Sequence, residues 1–239
     1  MRWLEAELPG ARAAFSTRLG GVSEGPFESL NLGLLTGDST QRVTHNRRRL
    51  AAVLERDPQC VVIAYQVHGP DLVRHTGPQE AKPYLGFEGA PLQADGHVTD
   101  VVGVTPVVLV ADCLPIALAG PGGLAMLHCG WRGLAAGIVA RGAAEVAATA
   151  AAVGPGIGPC CFEVGEEVLA EFSPLGDDVA TGRMLDLPEV ARRLLGQAGV
   201  ERVEASDLCT SCNPELFFSH RRDRGETGRQ AGAAWLCPA

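Results

Sequence analysis

The chain has 239 residues, enough for one sizeable α/β core that needs no disulfide staples. Acidic residues outnumber basic ones, 28 against 20, so a net charge of −8 opposes nucleic-acid phosphates and points to small-molecule partners. A hydrophobic fraction of 46% together with 30 Gly and 16 Pro excludes a disordered chain and describes a compact one rich in tight turns.

The opening Met1-Arg2-Trp3-Leu4-Glu5-Ala6-Glu7 carries charges where an export signal needs an apolar stretch, and the apolar run from Val101 to Ala111 stops at Asp112. The expectation is a cytoplasmic protein with no membrane segment. Its eight cysteines are then read as reduced thiols, most of them small core residues and some on a metal.

The segment from Phe15 through Gly20-Gly21-Val22-Ser23 to Leu32 suits a loop whose backbone closely approaches a ligand, with Arg18 and Asn31 its chemically useful members. Asp38-Ser39-Thr40-Gln41 predicts a helix start capped by Asp38, with Val43, Leu50 and Leu54 on one face. Val61 to Val67 is rich in β-branched and aromatic residues and predicts a buried strand that delivers His68 at its carboxyl end. Gly77 to Gln93 lacks apolar periodicity and predicts a long loop at an active-site rim.

Three apolar runs, Val104 to Val110, Pro115 to Ala119 and Leu124 to His128, predict neighbouring strands in a sheet covered on both faces. Leu134 to Ala152 reads as an alanine-rich helix packing through Ile138, Gly142 and Val146, stopped by Gly154-Pro155. Gly154 to Cys161 is glycine-rich, but no Gly-Lys-Ser or Gly-Lys-Thr follows, so it is a turn and not a phosphate-binding loop. Two further helices are predicted, Glu163 to Phe172 and Leu187 to Ala198, the second ending at Gly199. No repeat or low-complexity linker divides the chain, so residues 1–239 are read as one domain of mixed α+β class.

His68, Cys113 and His128 each lie where a predicted strand gives way to a turn. Two imidazoles and a thiolate suit zinc, and three protein ligands leave a fourth position for water or substrate. The spacing is unlike a compact finger, so residue chemistry alone leaves other readings open. Cys113 with His128 also suits a cysteine hydrolase. A copper oxidase with a mononuclear copper and a three-copper cluster wants roughly ten imidazoles, many in His-x-His pairs; the chain has 6 His and no such pair, so copper is disfavoured. Cys160-Cys161 with Cys209-Thr210-Ser211-Cys212 could form a redox switch or structural metal site, but a four-thiolate site would have to recruit a distant turn.

Six motifs spread over nearly the whole chain sharpen this reading. They are Ser16-Thr17-Arg18 with Gly20-Gly21-Val22-Ser23, Gln66-Val67-His68-Gly69, Ala111-Asp112-Cys113, Gly130-Trp131-Arg132-Gly133, Gly154-Pro155-Gly156-Ile157-Gly158, and Ser219-His220-Arg221-Arg222-Asp223 with Thr227-Gly228-Arg229. With these the chain resembles the YfiH-like laccase-domain family, called multicopper polyphenol oxidoreductases by an older name and associated with zinc-dependent purine nucleoside phosphorylase activity. The resemblance implies helices outside two β-sheets in a layered sandwich, zinc on His68, Cys113 and His128, and phosphorolysis of adenosine, inosine, guanosine and methylthioadenosine with deamination of adenosine. Where the family more often has Ala, this chain has Cys129, a thiol that either competes for the metal or packs in the core, with packing the favoured reading. Asp112 is either a proton carrier or a turn residue bonding nearby amides. Arg18 and Asn31 are the first candidates for gathering phosphate oxygens, followed by Arg132 and Arg222.

Overall fold

The computed structural model describes residues 3–77, 84–86 and 92–238. It begins with the hairpin β1 (Trp3–Leu8) and β2 (Ala11–Ser16), then helix α1 (Thr40–Val53) and the short β3 (Val61–Val62). Strands β4 (Leu72–His75), β5 (Gly96–Thr99), β6 (Thr105–Val110), β7 (Leu114–Gly120) and β8 (Gly123–Cys129) follow. Helices α2 (Trp131–Ala135) and α3 (Ile138–Val146) lead into β9 (Ala150–Val153). Beyond α4 (Glu166–Phe172) come the small pair β10 (Ala180–Thr181) and β11 (Met184–Leu185), helix α5 (Leu187–Gln197), β12 (Arg202–Ala205) and β13 (Gln230–Leu236).

Two sheets pack face to face: a five-stranded one ordered β1-β2-β13-β6-β3 and a six-stranded one ordered β12-β9-β7-β8-β5-β4. Strand alternation assigns each side chain to a layer. On β7, Ile116 and Leu118 join the helix-side core with Ile138, Val146 and Leu195, while Ala117 and Ala119 face the other sheet. The inter-sheet layer is built from small residues, among them Ala13, Ala117, Ala152 and Ala234, with Phe15 and Met126 filling the gaps. Gly232 shows how close the sheets come, because a β-carbon there would lie 2.3 Å from Met126 Cε. Helix α1 covers the far face of the five-stranded sheet, packing Leu50 and Ala51 against Ala14, Val107 and Trp235. The result is the layered α+β sandwich, with helices outside two sheets, that the motifs imply.

Several local expectations fail for tertiary reasons. The predicted helix from Leu134 to Ala152 breaks at Gly137 (φ 85°), stops at Ala147 (φ 48°), and gives way to strand β9. Burial of all four β9 residues between neighbouring strands and packing layers outweighs alanine's strong intrinsic helix preference, which tertiary context readily overrides. The strand expected over Val61 to Val67 pairs with β6 only at Val61 and Val62, and further on only Tyr65 makes an isolated parallel bridge, to Gln93. Beyond it the Gln66 side chain takes over the pairing with β6, donating to the Leu109 carbonyl and accepting from the Leu109 amide, both at 2.7 Å. His68 therefore sits in a loop and not at a strand end.

Ser39, not Asp38, occupies the N-cap of α1, and Asp38 instead accepts from the Asn31 amide at 3.0 Å. Helix α4 starts at Glu166, not Glu163, after Gly165. Most of the loop expected over Gly77 to Gln93 lies outside the described residues. Among the described residues no helix is long and apolar enough to cross a membrane.

Candidate metal centre

Two loops and the end of strand β8 bring together His68, Cys113 and His128, whose donor atoms all lie within 4.8 Å of one another. His128 is the penultimate residue of β8 and is 3% exposed. Cys113 follows Asp112 in the β6–β7 turn, where Asp112 adopts φ 89°. His68 is exposed and also left-handed, at φ 62°. An L-residue rarely adopts this conformation unless its surroundings impose it.

Asp95 imposes it. Its carboxylate, 0% exposed, accepts hydrogen bonds from the backbone amides of Val67 (3.0 Å), His68 (2.9 Å) and Gly69 (2.8 Å). The same group takes the Nδ1 proton of His128 at 2.7 Å. That bond fixes the imidazole tautomer and leaves Nε2 free to ligate, the arrangement in which a carboxylate supports a metal-bound histidine. The His68 and His128 rings meet edge-on, with centroids 4.8 Å apart. Gly130 makes room for them, since a β-carbon there would lie 2.9 Å from Cys113 Sγ and 3.2 Å from His68 Cδ2.

The electrostatics suit a metal. Burial by itself would raise the Cys113 thiol, but charge and hydrogen bonding from His128 and His68 outweigh it and bring the thiol down to about 6. Burial would lower His128, yet the Cys113 thiolate and the Asp95 carboxylate lift it to about 9. The site thus favours the thiolate that a metal requires, and a bound cation would displace the imidazole proton. Asp95 itself is held below the usual carboxylate range, because its bonds to His128, Gly69 and Val67 overcome the cost of burial.

These residues open into a cavity of about 450 Å³, a volume typical of small-ligand sites. Its walls include Leu35, Tyr65, Leu109, Trp131, Ile157 and Phe162, with Arg132, His220, Arg221 and Arg229 as polar members. Asp112 lines it too, but its carboxylate accepts from Thr210 Oγ1 at 2.6 Å and from the Arg221 amide at 2.7 Å.

Of the four residues expected to gather phosphate, only Arg132 lines the cavity, stacked over Trp131 at 4.3 Å. Asn31 is 0% exposed and gives its amide hydrogens to Thr36 and Asp38. Its oxygen receives the amides of Gly33 and Arg229. Arg18 lies outside the cavity lining, stacked over Phe218 and bonded to the Glu28 and Pro214 carbonyls. Arg222 is spent on Asp223 and on the carbonyls of Thr210 and Phe217.

The residues missed from sequence are Asp95 and Arg229. Burial lowers the Arg229 guanidinium, partly offset by negative charge on Cys113 and Asp112, which line the same cavity. The clustering of Arg221, Arg222, Arg224 and Arg229 was the available signal for a basic wall. Cys129 is fully buried in the helix-side core, as expected of a packing residue. Most cysteines are not core residues, however: of the eight, Cys129 and Cys209 alone are buried in the core. Five of the eight, Cys113, Cys160, Cys161, Cys209 and Cys212, fall in the two clusters of possible metal donors.

A mixed sandwich with a His-Cys-His group at a strand-end pocket defines a laccase-like domain with a candidate metal site. The chain belongs to the family described as multi-copper polyphenol oxidoreductase laccase, whose profile matches residues 12–237. It is 39% identical to the purine nucleoside phosphorylase YlmD of Geobacillus stearothermophilus, over 95% of this chain and 92% of the relative. It is 38% identical to the purine nucleoside phosphorylase YfiH of Escherichia coli, over 95% and 94%. Among solved structures, the Bacillus licheniformis hypothetical protein YfiH superimposes with a TM-score of 0.88 at 36% identity, covering 95% of this chain and 93% of that one. The Geobacillus stearothermophilus YlmD crystal structure gives 0.86 at 36% identity, covering 99% and 96%.

Proposed function

We propose that this chain is a zinc-dependent purine nucleoside phosphorylase acting within a single catalytic domain. Its substrates are adenosine, inosine, guanosine and methylthioadenosine, and it also deaminates adenosine by hydrolysis. The observation that carries the proposal is the convergence of His68, Cys113 and His128 with Arg132, Arg221 and Arg229 on one cavity. The relatives' names support the nucleoside class.

The donor set fits zinc: one thiolate, two imidazoles, a carboxylate behind one imidazole, and a glycine clearing the space between them. When bound, zinc would supply Lewis acidity toward an oxygen in its open position. Leu35, Tyr65, Leu109 and Phe162 offer apolar faces for a purine.

Arg229 and Arg132 hold phosphate through cationic donors that stay protonated, so the anion keeps its lone pairs. One oxygen of hydrogen phosphate forms the bond to the ribose anomeric carbon as the bond to the base nitrogen breaks, and the phosphate's proton passes to the departing base. Asn31 acts at one remove, holding the Arg229 backbone at 2.9 Å. Asp112, with both oxygens committed, positions Thr210 and Arg221.

Two alternative readings are weaker. The thiolate of Cys113 beside a protonated His128 also suits a cysteine hydrolase, but that chemistry has no use for His68 at the third corner. A multicopper centre wants roughly ten imidazoles, and the chain has 6.

The test is product analysis of metal-quantified protein with inosine or adenosine, with and without phosphate. Hypoxanthine or adenine should appear with ribose 1-phosphate only when phosphate is present, and inosine should appear from adenosine without it. Absence of free base rejects the phosphorylase. Activity that survives complete zinc removal rejects the metal mechanism and favours the thiol nucleophile.

A further inference from the structure

A second cluster of sulfur lies behind the cavity wall. The turn Gly158 to Phe162 and the loop Cys209 to Cys212 bring four cysteines, Cys160, Cys161, Cys209 and Cys212, to a common point, with all four Sγ atoms within 4.8 Å of one another. The Sγ of Cys212 lies 3.3 Å from that of Cys160 and 3.4 Å from that of Cys161. A tetrahedral zinc with Zn–S bonds of about 2.3 Å has S···S edges of about 3.8 Å, a value bracketed by the two short separations and the 4.8 Å limit, so small side-chain shifts would close an S₄ shell. The sequence separation that argues against such a site disappears in the fold. Gly156 bridges Cys209 in parallel register, and Thr210 donates its amide to the Gly156 carbonyl at 2.9 Å.

We infer that Cys160, Cys161, Cys209 and Cys212 form a structural zinc site separate from the His68, Cys113 and His128 group. Two features beyond the sulfur geometry support it. The amide of Gly158 donates to Cys209 Sγ at 3.3 Å, and the amides of Ser211 and Cys212 also reach that sulfur. Such N–H donors stabilise a metal-bound thiolate. Arg222 grips the Thr210 carbonyl at 2.9 Å and the Ser211 carbonyl at 3.4 Å, placing a cation against the same turn. Binding converts four thiols and Zn²⁺ into a tetrathiolate complex of charge −2 with release of four protons, and the nearby guanidinium offsets part of that charge. The site would pin the turn bearing Phe162 to the loop preceding His220, Arg221 and Arg229, and so hold two walls of the cavity together.

The experiment uses the full chain with Cys113→Ala, which disables the first group, and a second form that also carries Cys160→Ser and Cys212→Ser. Both replaced side chains are exposed, so folding should survive. Zinc is measured by mass spectrometry and its shell by X-ray absorption. The expected result is about one zinc per Cys113→Ala chain with four sulfur neighbours at about 2.3 Å, and none in the triple variant. Zinc retained by the triple variant, a shell containing nitrogen or oxygen, or a metal-free Cys113→Ala chain whose cysteines are joined in disulfides would each overturn the inference.

Discussion

Replacing Asp95 by Asn tests whether one buried carboxylate both shapes and tunes the metal centre. In the wild type, Oδ1 receives the His68 amide and His128 Nδ1, while Oδ2 receives the amides of Val67 and Gly69. An asparagine has one acceptor oxygen and one amino group, so in either orientation two donors face the amino group. Each lost charge-assisted bond is worth about 1.5–3 kcal/mol, which predicts a loss of about 3–6 kcal/mol. Urea unfolding of metal-free protein isolates this contribution, because His68 keeps φ 62° only while its loop is tied to Asp95. Zinc affinity, measured by chelator competition, should fall by about 10–100-fold through the misoriented His128. If stability and zinc affinity both stay at wild-type values, Asp95 neither imposes the loop nor orients the ligand, and the account of this centre fails.

Four further substitutions probe other parts of the argument. Gly130 has φ −80° and ψ 168°, which alanine tolerates, so Gly130→Ala should fold normally; its β-carbon, 2.9 Å from Cys113 Sγ, should cost at least about tenfold in zinc retention by dialysis. Arg229→Ala should raise the KM for phosphate by about tenfold or more in initial-rate assays, whereas Arg222→Ala should leave that KM unchanged and cost about 2–4 kcal/mol in urea unfolding; the reverse pattern would mean the two arginines had been assigned the wrong way round. Burial lowers His97 from 6.5 to about 3, so the folded state holds it neutral while the unfolded chain protonates it. The resulting stability is present above pH 6.5 and lost as pH falls toward 3, by about 1.4 kcal/mol at pH 5.5. Unfolding of metal-free wild type and His97→Gln at pH 7.5 and 5.5 should show a smaller acid loss in the variant, and equal losses would refute the buried neutral histidine.

What could be read of the fold from sequence depended on whether a segment's burial matched its composition. The strands β6, β7 and β8 carry Val, Leu and Ile runs and were visible as strands, but β6 lies in the five-stranded sheet and only β7 and β8 are the neighbours expected, because the Asp112 turn carries the chain from one sheet to the other. Helix α5 was visible too, its apolar residues Leu187, Val190, Ala191 and Leu195 falling on one buried face. Strands β9 and β13 were not, since Ala150-Ala151-Ala152 and Gly232-Ala233-Ala234 lack β-branched residues. Their small side chains are required because the sheets approach too closely for larger ones, as Gly232 shows. Such a demand arises between elements distant in sequence, and no local window contains it.

The candidate site divides along a similar line. Histidine and cysteine carry their ligating chemistry in the residue type, so His68, Cys113 and His128 stood out before any geometry. An arginine or asparagine does not announce whether its donors are already in use. Arg222 and Asn31 have theirs satisfied within the protein, while Arg229 gives Nη1 to the Thr227 and Gly228 carbonyls and lines the cavity with its backbone held by Asn31. Asn31 thus bears on the anion side of the pocket through the residue it holds, not through contact. The deciding quantity for a phosphate ligand is donor capacity left over after folding, and that is a property of the tertiary structure. The same reasoning applies to the sulfur cluster: Cys209 and Cys212 alone are a weak motif, and the parallel bridge at Gly156 brings Cys160 and Cys161 to within 4.8 Å of them.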